Sequence, residues 1–171
     1  ASVSKMILSS SLEEREEHIK ELLNYQRDDF KELFSSMSGK SVVIRLLDPP
    51  IHEFLPKQKE EIEVLAKALN VSYETLMEKI ASLKEFNPMM GHRGSRLLVS
   101  YPEIARMQAR AILEALSEVE VPVDVQIMIP LILEVKEYSF IKNIIDQEAK
   151  KVMEERRKEL KYKVGTMIEV P

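Results

Sequence analysis

A short cationic stretch between two helical segments carries the residue types best suited to chemistry. It covers residues 87–96 and reads Asn-Pro-Met-Met-Gly-His-Arg-Gly-Ser-Arg. Asn87-Pro88 predicts a turn, because proline fixes its own φ and restricts the residue before it. Gly91 and Gly94 allow the backbone to approach another group closely. The stretch is therefore predicted to be a turn rather than part of either helix.

Arg93 and Arg96 lie beside these glycines. A guanidinium group can donate two parallel hydrogen bonds to the oxygens of a carboxylate or a phosphate. Spacing alone leaves two interpretations open. The stretch is either an anion-binding turn or a solvated loop whose arginines cap the preceding helix.

Arg45 interrupts an apolar, β-branched segment, residues 41–47, that is typical of a buried parallel strand. A charge in such a strand is costly unless it is paired. One interpretation is an arginine at a strand end that pairs with a carboxylate such as Asp48. The other is a ligand-binding arginine at the carboxyl end of a barrel strand, where (β/α)₈ enzymes keep their chemistry.

Two further groups of polar residues attract attention. Glu169 ends an otherwise apolar strand, and by itself it indicates an ordinary exposed carboxylate. His52 and Glu53 lie in a proline-rich loop, residues 48–56, that can be neither helix nor central strand. A lone histidine is a weak metal-ligand signal, so both are interpreted as loop-structuring residues.

Hydrophobic periodicity supplies the elements that would position these residues. A long helix follows a cap at Ser10 or Ser11 and ends near Ser38-Gly39. The other predicted helices cover residues 57–69, 72–86, 102–119 and 139–160, and the strands cover 41–47, 122–131 and 163–170. Strands separated by helices indicate parallel pairing with right-handed crossovers. This spacing does not distinguish a barrel from an open sheet.

Charged residues on the long helices are interpreted as solvated faces without a function. In the first long helix these are Arg15, Arg27 and Lys31. Near the end of the last helix they are Lys150, Lys151, Arg156, Arg157 and Lys158, with intrahelical glutamate partners expected.

Composition restricts the class of protein. The chain has 171 residues, 44% of them hydrophobic, which is typical of one soluble domain. A net charge of −4 argues against nucleic-acid binding, and the absence of cysteine excludes thiolate metal sites. No apolar segment approaches the length of a membrane span, and residues 1–8 do not resemble a signal peptide. A cytoplasmic location is expected.

Three segments together resemble the phosphoenolpyruvate-binding domain of the pyruvate, phosphate dikinase family. They are residues 43–56, reading VIRLLDPPIHEFLP; residues 87–96 with the following Ser100-Tyr-Pro-Glu-Ile; and residues 165–171, reading GTMIEVP. The segments occur in the family's order and span nearly the whole chain. Phosphoenolpyruvate synthase and enzyme I of the sugar phosphotransferase system share the Gly-x-Arg element but not the Asp-Pro-Pro-x-His-Glu-Phe segment.

The resemblance implies an α/β fold, specifically part of a (β/α)₈ TIM barrel with about three parallel strands. Residues 1–171 would be a segment of the barrel domain, and residues 57–86 a helical insertion within it. It also implies that Arg45 and Arg93 are catalytic and substrate-binding, that Arg96 is substrate-binding and that Glu169 binds Mg²⁺. A second metal ligand and a general-acid cysteine would lie beyond Pro171, so the chain is expected to be part of a longer protein.

The implied function is phosphoryl transfer between phosphoenolpyruvate and a phosphohistidine on a separate swivelling domain. The whole enzyme would interconvert ATP, pyruvate and phosphate with AMP, phosphoenolpyruvate and diphosphate. The chain alone is expected to be inactive. The alternative is a non-catalytic or degenerate barrel segment that serves as a binding or scaffold module.

A homodimer is also expected. A three-stranded piece of a barrel has two open edges, and such edges recruit another chain. The barrel-facing side of the sheet is predicted to be apolar and to lack its far wall; its residues would be Ile44, Leu46, Ile127, Ile129 and Met167.

Overall fold

The computed structural model describes residues 2–9, 11–84, 87 and 89–171. Within these residues the helices are α1 (Ser2–Leu8), α2 (Leu12–Ser36), α3 (Lys59–Ala68), α4 (Tyr73–Ser82), α5 (Gly94–Ser100), α6 (Pro102–Glu118) and α7 (Val135–Arg156). The strands are β1 (Ser41–Arg45), β2 (Asp124–Ile129) and β3 (Tyr162–Thr166). The chain forms two compact units, one of residues 1–22 and 49–92 and the other of residues 23–48 and 93–171.

The second unit contains a three-stranded sheet in the order β1-β2-β3, with both pairs parallel. Ile44 lies opposite Ile127, which lies opposite Val164. The predicted set of three parallel strands separated by helices is therefore confirmed, while closure into a barrel stays a prediction. Parallel order brings the carboxyl ends of all three strands to one edge of the sheet.

One face of this sheet is buried, and its identity corrects the sequence-based prediction. Ile44, Leu46, Ile127 and Ile129, predicted to be the uncovered inner face, are all buried, while Met167 is half-buried. Tyr162, on the same face, donates a hydrogen bond to Asp146 of α7 at 2.8 Å. The four buried residues and Tyr162 therefore face the helices, because the crossover helices of a parallel sheet cover its apolar side chains.

The opposite face is largely polar. Val43 is 52% exposed on it, and Asp124 accepts hydrogen bonds from Ser41, Gln126 and Lys163. These bonds, that from Ser41 foremost, lower the pKa of Asp124 to about 2. This carboxylate begins β2, so its ion pair with Lys163 lies at the amino ends of the strands.

The long helices join through ion pairs, so the predicted solvated faces need correction. Arg27 and Lys31 of α2 lie 3.8 Å from Glu114 and 3.0 Å from Glu118 of α6. Arg110 lies 2.7 Å from Glu114 and 3.6 Å from Glu148 of α7, and both carboxylates are buried. Burial of these carboxylates requires such partners, which explains why charge occurs on packed helix faces.

The basic cluster near the end of α7 is likewise only partly solvated. Lys151 pairs with Glu148 within the helix at 2.8 Å, as predicted. Arg156 instead pairs with Glu118 of α6, and Lys158 donates to the Ser117 carbonyl oxygen. These basic residues therefore connect two helices.

The first unit is helical and has its own core. Leu8, Leu55, Ile62, Leu65 and Leu76 form its centre. The proline-rich loop contains one 3-10 turn, Ile51–Phe54, which the prediction of an entirely non-helical loop missed. Residues 85–86, at the predicted end of the second helix of the insertion, lie outside the described residues, and the insertion's boundaries stay a prediction.

Local signals explain where two helices begin. Ser11 Oγ accepts a hydrogen bond from the Glu14 amide at 3.1 Å and so caps α2, as predicted, whereas Ser10 lies outside the described residues. Pro102 occupies the first turn of α6, where a missing N–H costs nothing. In the described part of the chain, no helix has the length and apolar character needed to cross a membrane.

Candidate functional site

The carboxyl ends of the three strands meet the start of α5, and three of the four predicted site residues lie there. Arg45 is the last residue of β1, and Arg93 immediately precedes α5. Glu169 follows β3 by three residues. Ligands of parallel α/β sheets bind at this edge, because the loops that leave the strands converge there.

Asp48 connects the two arginines. Its Oδ2 lies 3.1 Å from Arg45 Nη1 and 3.0 Å from Arg93 Nη2. Arg93 Nε also donates to the main-chain oxygen of Asp48 at 3.0 Å. One carboxylate oxygen therefore holds both guanidinium groups, and the loop after β1 fixes the orientation of Arg93.

Asp48 is unusual among the residues of this loop. It is 7% exposed, and its Oδ1 atom is buried without a hydrogen-bond donor among the described residues. A carboxylate in such a place requires compensating positive charge, which the two arginines supply. The pairing of Arg45 with Asp48 expected from the sequence is thus confirmed, and it does not exclude a ligand-binding role for Arg45.

The start of α5 is tied to the end of β2. Ser95 donates from its amide to the Pro130 oxygen at 3.1 Å and from Oγ to the Leu131 oxygen at 2.6 Å. Gly94 has φ +55°, and a Cβ placed on it would lie 2.9 Å from Leu131 Cβ. The close approach predicted for Gly94 is confirmed, and its neighbour in space is Leu131.

Glu169 is tied to the same point. Its Oε1 accepts a hydrogen bond from the Leu131 amide at 2.8 Å, and Leu131 has the left-handed φ of +57°. A positive φ is uncommon for a residue with a branched side chain, so this turn is held by its surroundings. Leu131 therefore links the helix that follows Arg93 to the carboxylate of Glu169.

The fit of Glu169 to Mg²⁺ follows from its donor atoms. Magnesium prefers carboxylate oxygens and retains open positions for water and substrate. Oε1 is engaged by the Leu131 amide, and Oε2 has no protein partner among the described residues. No group of three or more histidine, aspartate or glutamate residues in that part of the chain could hold a metal. Glu169 therefore fits as one ligand, and the others would have to come from elsewhere.

The remaining predictions have mixed outcomes. Arg96 lies half-buried inside α5, where its binding role stays a prediction. The turn at Asn87 is confirmed, since Met89 and Met90 donate from their amides to its side-chain and main-chain oxygens, while Pro88 lies outside the described residues. The prediction that all of residues 87–96 form a turn is wrong for the last three, which begin α5. His52 belongs to the unit of residues 1–22 and 49–92, and its loop-structuring role stays a prediction.

Sequence reasoning missed two contributors to the site and half of the role of a third. Asp48 was expected to pair with Arg45, but its contact with Arg93, 45 positions away, carries no sequence signal. Ser95 and Leu131 act through main-chain contacts, which their residue types do not reveal. Pro130 is the sequence signal for the turn at Leu131, because a proline at the end of a strand indicates that the strand stops there.

Comparison with known proteins shows the family of the chain. Residues 5–171 match the family model described as "PEP-utilising enzyme, PEP-binding domain". The chain is 47% identical to a pyruvate, phosphate dikinase of Clostridium symbiosum, over 99% of its own length and 20% of that protein. Similar enzymes of Rhizobium meliloti (strain 1021) and Giardia intestinalis are 47% and 43% identical over 98% of the chain and 19% of each relative. The chain thus spans about a fifth of the length of these relatives.

Proposed function

The chain belongs to the PEP-utilising enzyme, PEP-binding domain family, and on that premise we propose that Arg45 and Arg93 bind the phosphoryl group of phosphoenolpyruvate during its transfer. The observation that carries the proposal is the meeting of both arginines on Asp48 at the carboxyl ends of the strands. Family membership supports the choice of ligand, and the geometry supports the choice of residues.

The charge and the donors of the arginine pair suit a phosphoryl group. Two guanidinium groups and one carboxylate leave a net charge of +1 at this point of the molecule. Each guanidinium has five N–H groups, and only some of those on Arg45 and Arg93 are used by Asp48. The others have no protein partner within the described residues, so they remain for the oxygens of a ligand.

The reaction would be phosphoryl transfer. The bond between phosphorus and the enol oxygen of phosphoenolpyruvate breaks while a histidine nitrogen on a separate domain bonds to phosphorus, and the three-carbon unit leaves as pyruvate after protonation. Arg45 and Arg93 would neutralise the phosphoryl oxygens and keep phosphorus in line with both partners. Arg96 is proposed to contribute to the same pocket.

Glu169 is proposed as one ligand of Mg²⁺. When bound, the metal would supply Lewis acidity toward an oxygen of the substrate. The hydrogen bond from the Leu131 amide to Oε1 orients the carboxylate, since bonding around a ligand commonly fixes its position at a metal.

The wider assignment rests on the relatives. Their names describe pyruvate, phosphate dikinases, so we propose that the protein bearing this chain is a phosphotransferase of that kind, with the sheet as part of a TIM barrel. It would interconvert ATP, pyruvate and phosphate with AMP, phosphoenolpyruvate and diphosphate through a swivelling phosphohistidine domain. A cytoplasmic location stays a prediction. The alternative is a non-catalytic or degenerate barrel segment that serves as a binding or scaffold module.

Lysine substitution tests the arginine pair in the full-length protein. Arg45→Lys and Arg93→Lys keep the charge but lose the bidentate fork. We expect each to slow exchange of label between pyruvate and phosphoenolpyruvate by about tenfold or more, corresponding to ~1.4 kcal/mol or more.

Arg106→Lys is the matched control, because Arg106 is an exposed residue of α6. It should leave the exchange rate unchanged. Exchange at the unsubstituted rate in both site variants would remove the arginines from the reaction.

A further inference from the structure

We propose that Asp48 is a positioning residue that gathers Arg45 and Arg93 into a single binding unit for the phosphoryl group. The inference rests on the proposed function of the arginines and adds to it a third residue that does not touch the ligand. Nothing in the sequence motif distinguishes this aspartate from an ordinary strand-end partner.

The first argument is geometric. Both guanidinium nitrogens contact the same atom, Oδ2, at 3.1 and 3.0 Å, so they lie no farther apart than the sum of these distances. A phosphoryl group is small, so two guanidinium groups can bind it at the same time only if they lie close together. Arg93 is further oriented by the Asp48 main-chain oxygen, which leaves less rotational freedom for its side chain.

The second argument is electrostatic. Two like charges at this distance repel each other, and the repulsion is strong where the surroundings exclude water. The Arg93 side chain is only 21% exposed and that of Asp48 10%, while that of Arg45 is 46% exposed, so solvent screens part of the repulsion. The negative charge of Asp48 therefore offsets the repulsion before a ligand arrives. Without it, the two guanidinium groups would separate, and a bound phosphoryl group would less often be held in the geometry for transfer.

The third argument concerns the burial of Asp48 itself. Its Oδ1 lacks a donor among the described residues, so hydrogen bonding to its own loop does not account for its position. The arginines provide the compensation that a buried carboxylate requires. The structure thus couples the position of Asp48 to both cations and to little else.

Asp48→Asn in the full-length protein tests the inference, because asparagine keeps the shape and removes the charge. We expect kcat for exchange between pyruvate and phosphoenolpyruvate to fall by about tenfold or more, as the arginines lose their common anchor. The KM for phosphoenolpyruvate should stay equal or fall, because removal of a negative charge makes the site more cationic. Inhibition by inorganic phosphate should strengthen for the same reason.

The double variant Asp48→Asn/Arg93→Lys separates positioning from an independent role. If Asp48 acts through Arg93, the double variant should be little slower than the slower single variant. Asp48→Glu, which restores the charge on a longer side chain, should recover part of kcat. Should the asparagine variant fail to fold, the glutamate variant decides, since a shifted anchor should lower its kcat without raising KM.

Asp124→Asn is the matched control, because Asp124 also pairs with a basic residue but at the amino ends of the strands. It should leave both constants unchanged. The inference is overturned if Asp48→Asn keeps kcat within about twofold of the unsubstituted protein, or if its kcat falls with a parallel rise in KM. The proposed function fails separately, if the two arginine variants exchange label at the unsubstituted rate.

Discussion

Glu169 combines two interactions that a single substitution can separate. Its Oε1 accepts a hydrogen bond from the Leu131 amide, while Oε2 has no hydrogen-bond partner within the described residues. The first interaction maintains the turn after β2, and the second oxygen is the one proposed for Mg²⁺. Glutamine retains an acceptor for the amide but loses the charge that a hard cation requires.

We therefore expect Glu169→Gln and Glu169→Ala to have similar affinities for a divalent metal but different stabilities. Both should weaken binding of Mn²⁺, used as a paramagnetic probe for magnesium, by about tenfold or more in the full-length protein, or ~1.4 kcal/mol. Only the alanine variant should lose the turn's hydrogen bond, which lowers the free energy of unfolding by about 1 kcal/mol. Titration followed by electron paramagnetic resonance measures the first property, and denaturant unfolding the second. Unchanged Mn²⁺ affinity in the glutamine variant would contradict the assignment.

At the residue scale, the sequence shows which side chains can do chemistry but not which of them meet. Arg45, Arg93 and Glu169 were all identifiable by type and by resemblance. The sharing of Asp48 between two arginines depends on the contact of the loop after β1 with Arg93, the residue before α5, and no local pattern encodes it. Polar contacts between distant segments follow from tertiary structure, whereas capping contacts such as Ser11 with Glu14 follow from spacing.

The element on which the site depends most is α5, a helix of seven residues that the periodicity did not predict. Its length provides under two turns, too few for a hydrophobic repeat to show. Pro102 correctly predicted the start of α6. It also argued against a helix immediately before it, because the residue that precedes a proline disfavours helical geometry. The short helix is maintained by tertiary contacts at Gly94 and Ser95 with the end of β2.

Gly94 is consequently expected to be intolerant of substitution. In Gly94→Ala the new Cβ would lie 2.9 Å from Leu131 Cβ and 3.0 Å from Leu131 Cδ1, and the residue would retain a strained φ of +55°. Strain of this kind costs about 1–2 kcal/mol, and the clash adds to it. The movement should also displace Arg93, so exchange of label between pyruvate and phosphoenolpyruvate should slow.

Gly39→Ala isolates the strain from the clash. Gly39 has φ +75°, but a Cβ there meets nothing within 4 Å. Denaturant unfolding should show a larger loss of stability for Gly94→Ala than for Gly39→Ala, and only the former should affect exchange. Equal losses of unfolding free energy in the two variants would mean that Leu131 can move away from the new Cβ at no energetic cost. The contact between Gly94 and Leu131 would then have no positioning role.

The faces of the sheet show a limit of pattern reasoning at the same scale. The strand residues were predicted to be apolar toward the barrel interior, yet Ile127 and Ile129 face the helices and the other face carries Asp124 and Lys163. Strand alternation identifies two faces but does not say which one the helices cover. The assignment requires crossover contacts such as that between Tyr162 and Asp146.

At the scale of the whole molecule, the chain by itself is expected not to turn over. The second metal ligand, the general-acid cysteine and the phosphohistidine domain that the resemblance implies are not among the motifs identified in these 171 residues. The assay is pyruvate formation from phosphoenolpyruvate by the chain together with an added histidine domain. We expect no activity above that of the histidine domain alone, even though the arginine pair is present. Turnover comparable to that of a full-length dikinase would show that these residues suffice and would exclude the scaffold alternative.

The chain alone is also expected to associate with itself, through its edges rather than through its open face. Within the described residues β1 and β3 are the edge strands, and their outer N–H and C=O groups are available to pair with another strand. The open face is a poorer contact, because the buried isoleucines lie on the other side and this one carries Asp124 and Lys163. We expect light scattering at micromolar concentration to show a dimer that persists at high salt, since main-chain pairing is little screened.

Val43→Pro removes a main-chain donor from the edge strand β1 and should shift the equilibrium toward monomer. The control is Val64→Ser, a substitution at an exposed site of α3, which should leave the equilibrium unchanged. A monomer with a cooperative melt in the unsubstituted chain would refute edge pairing.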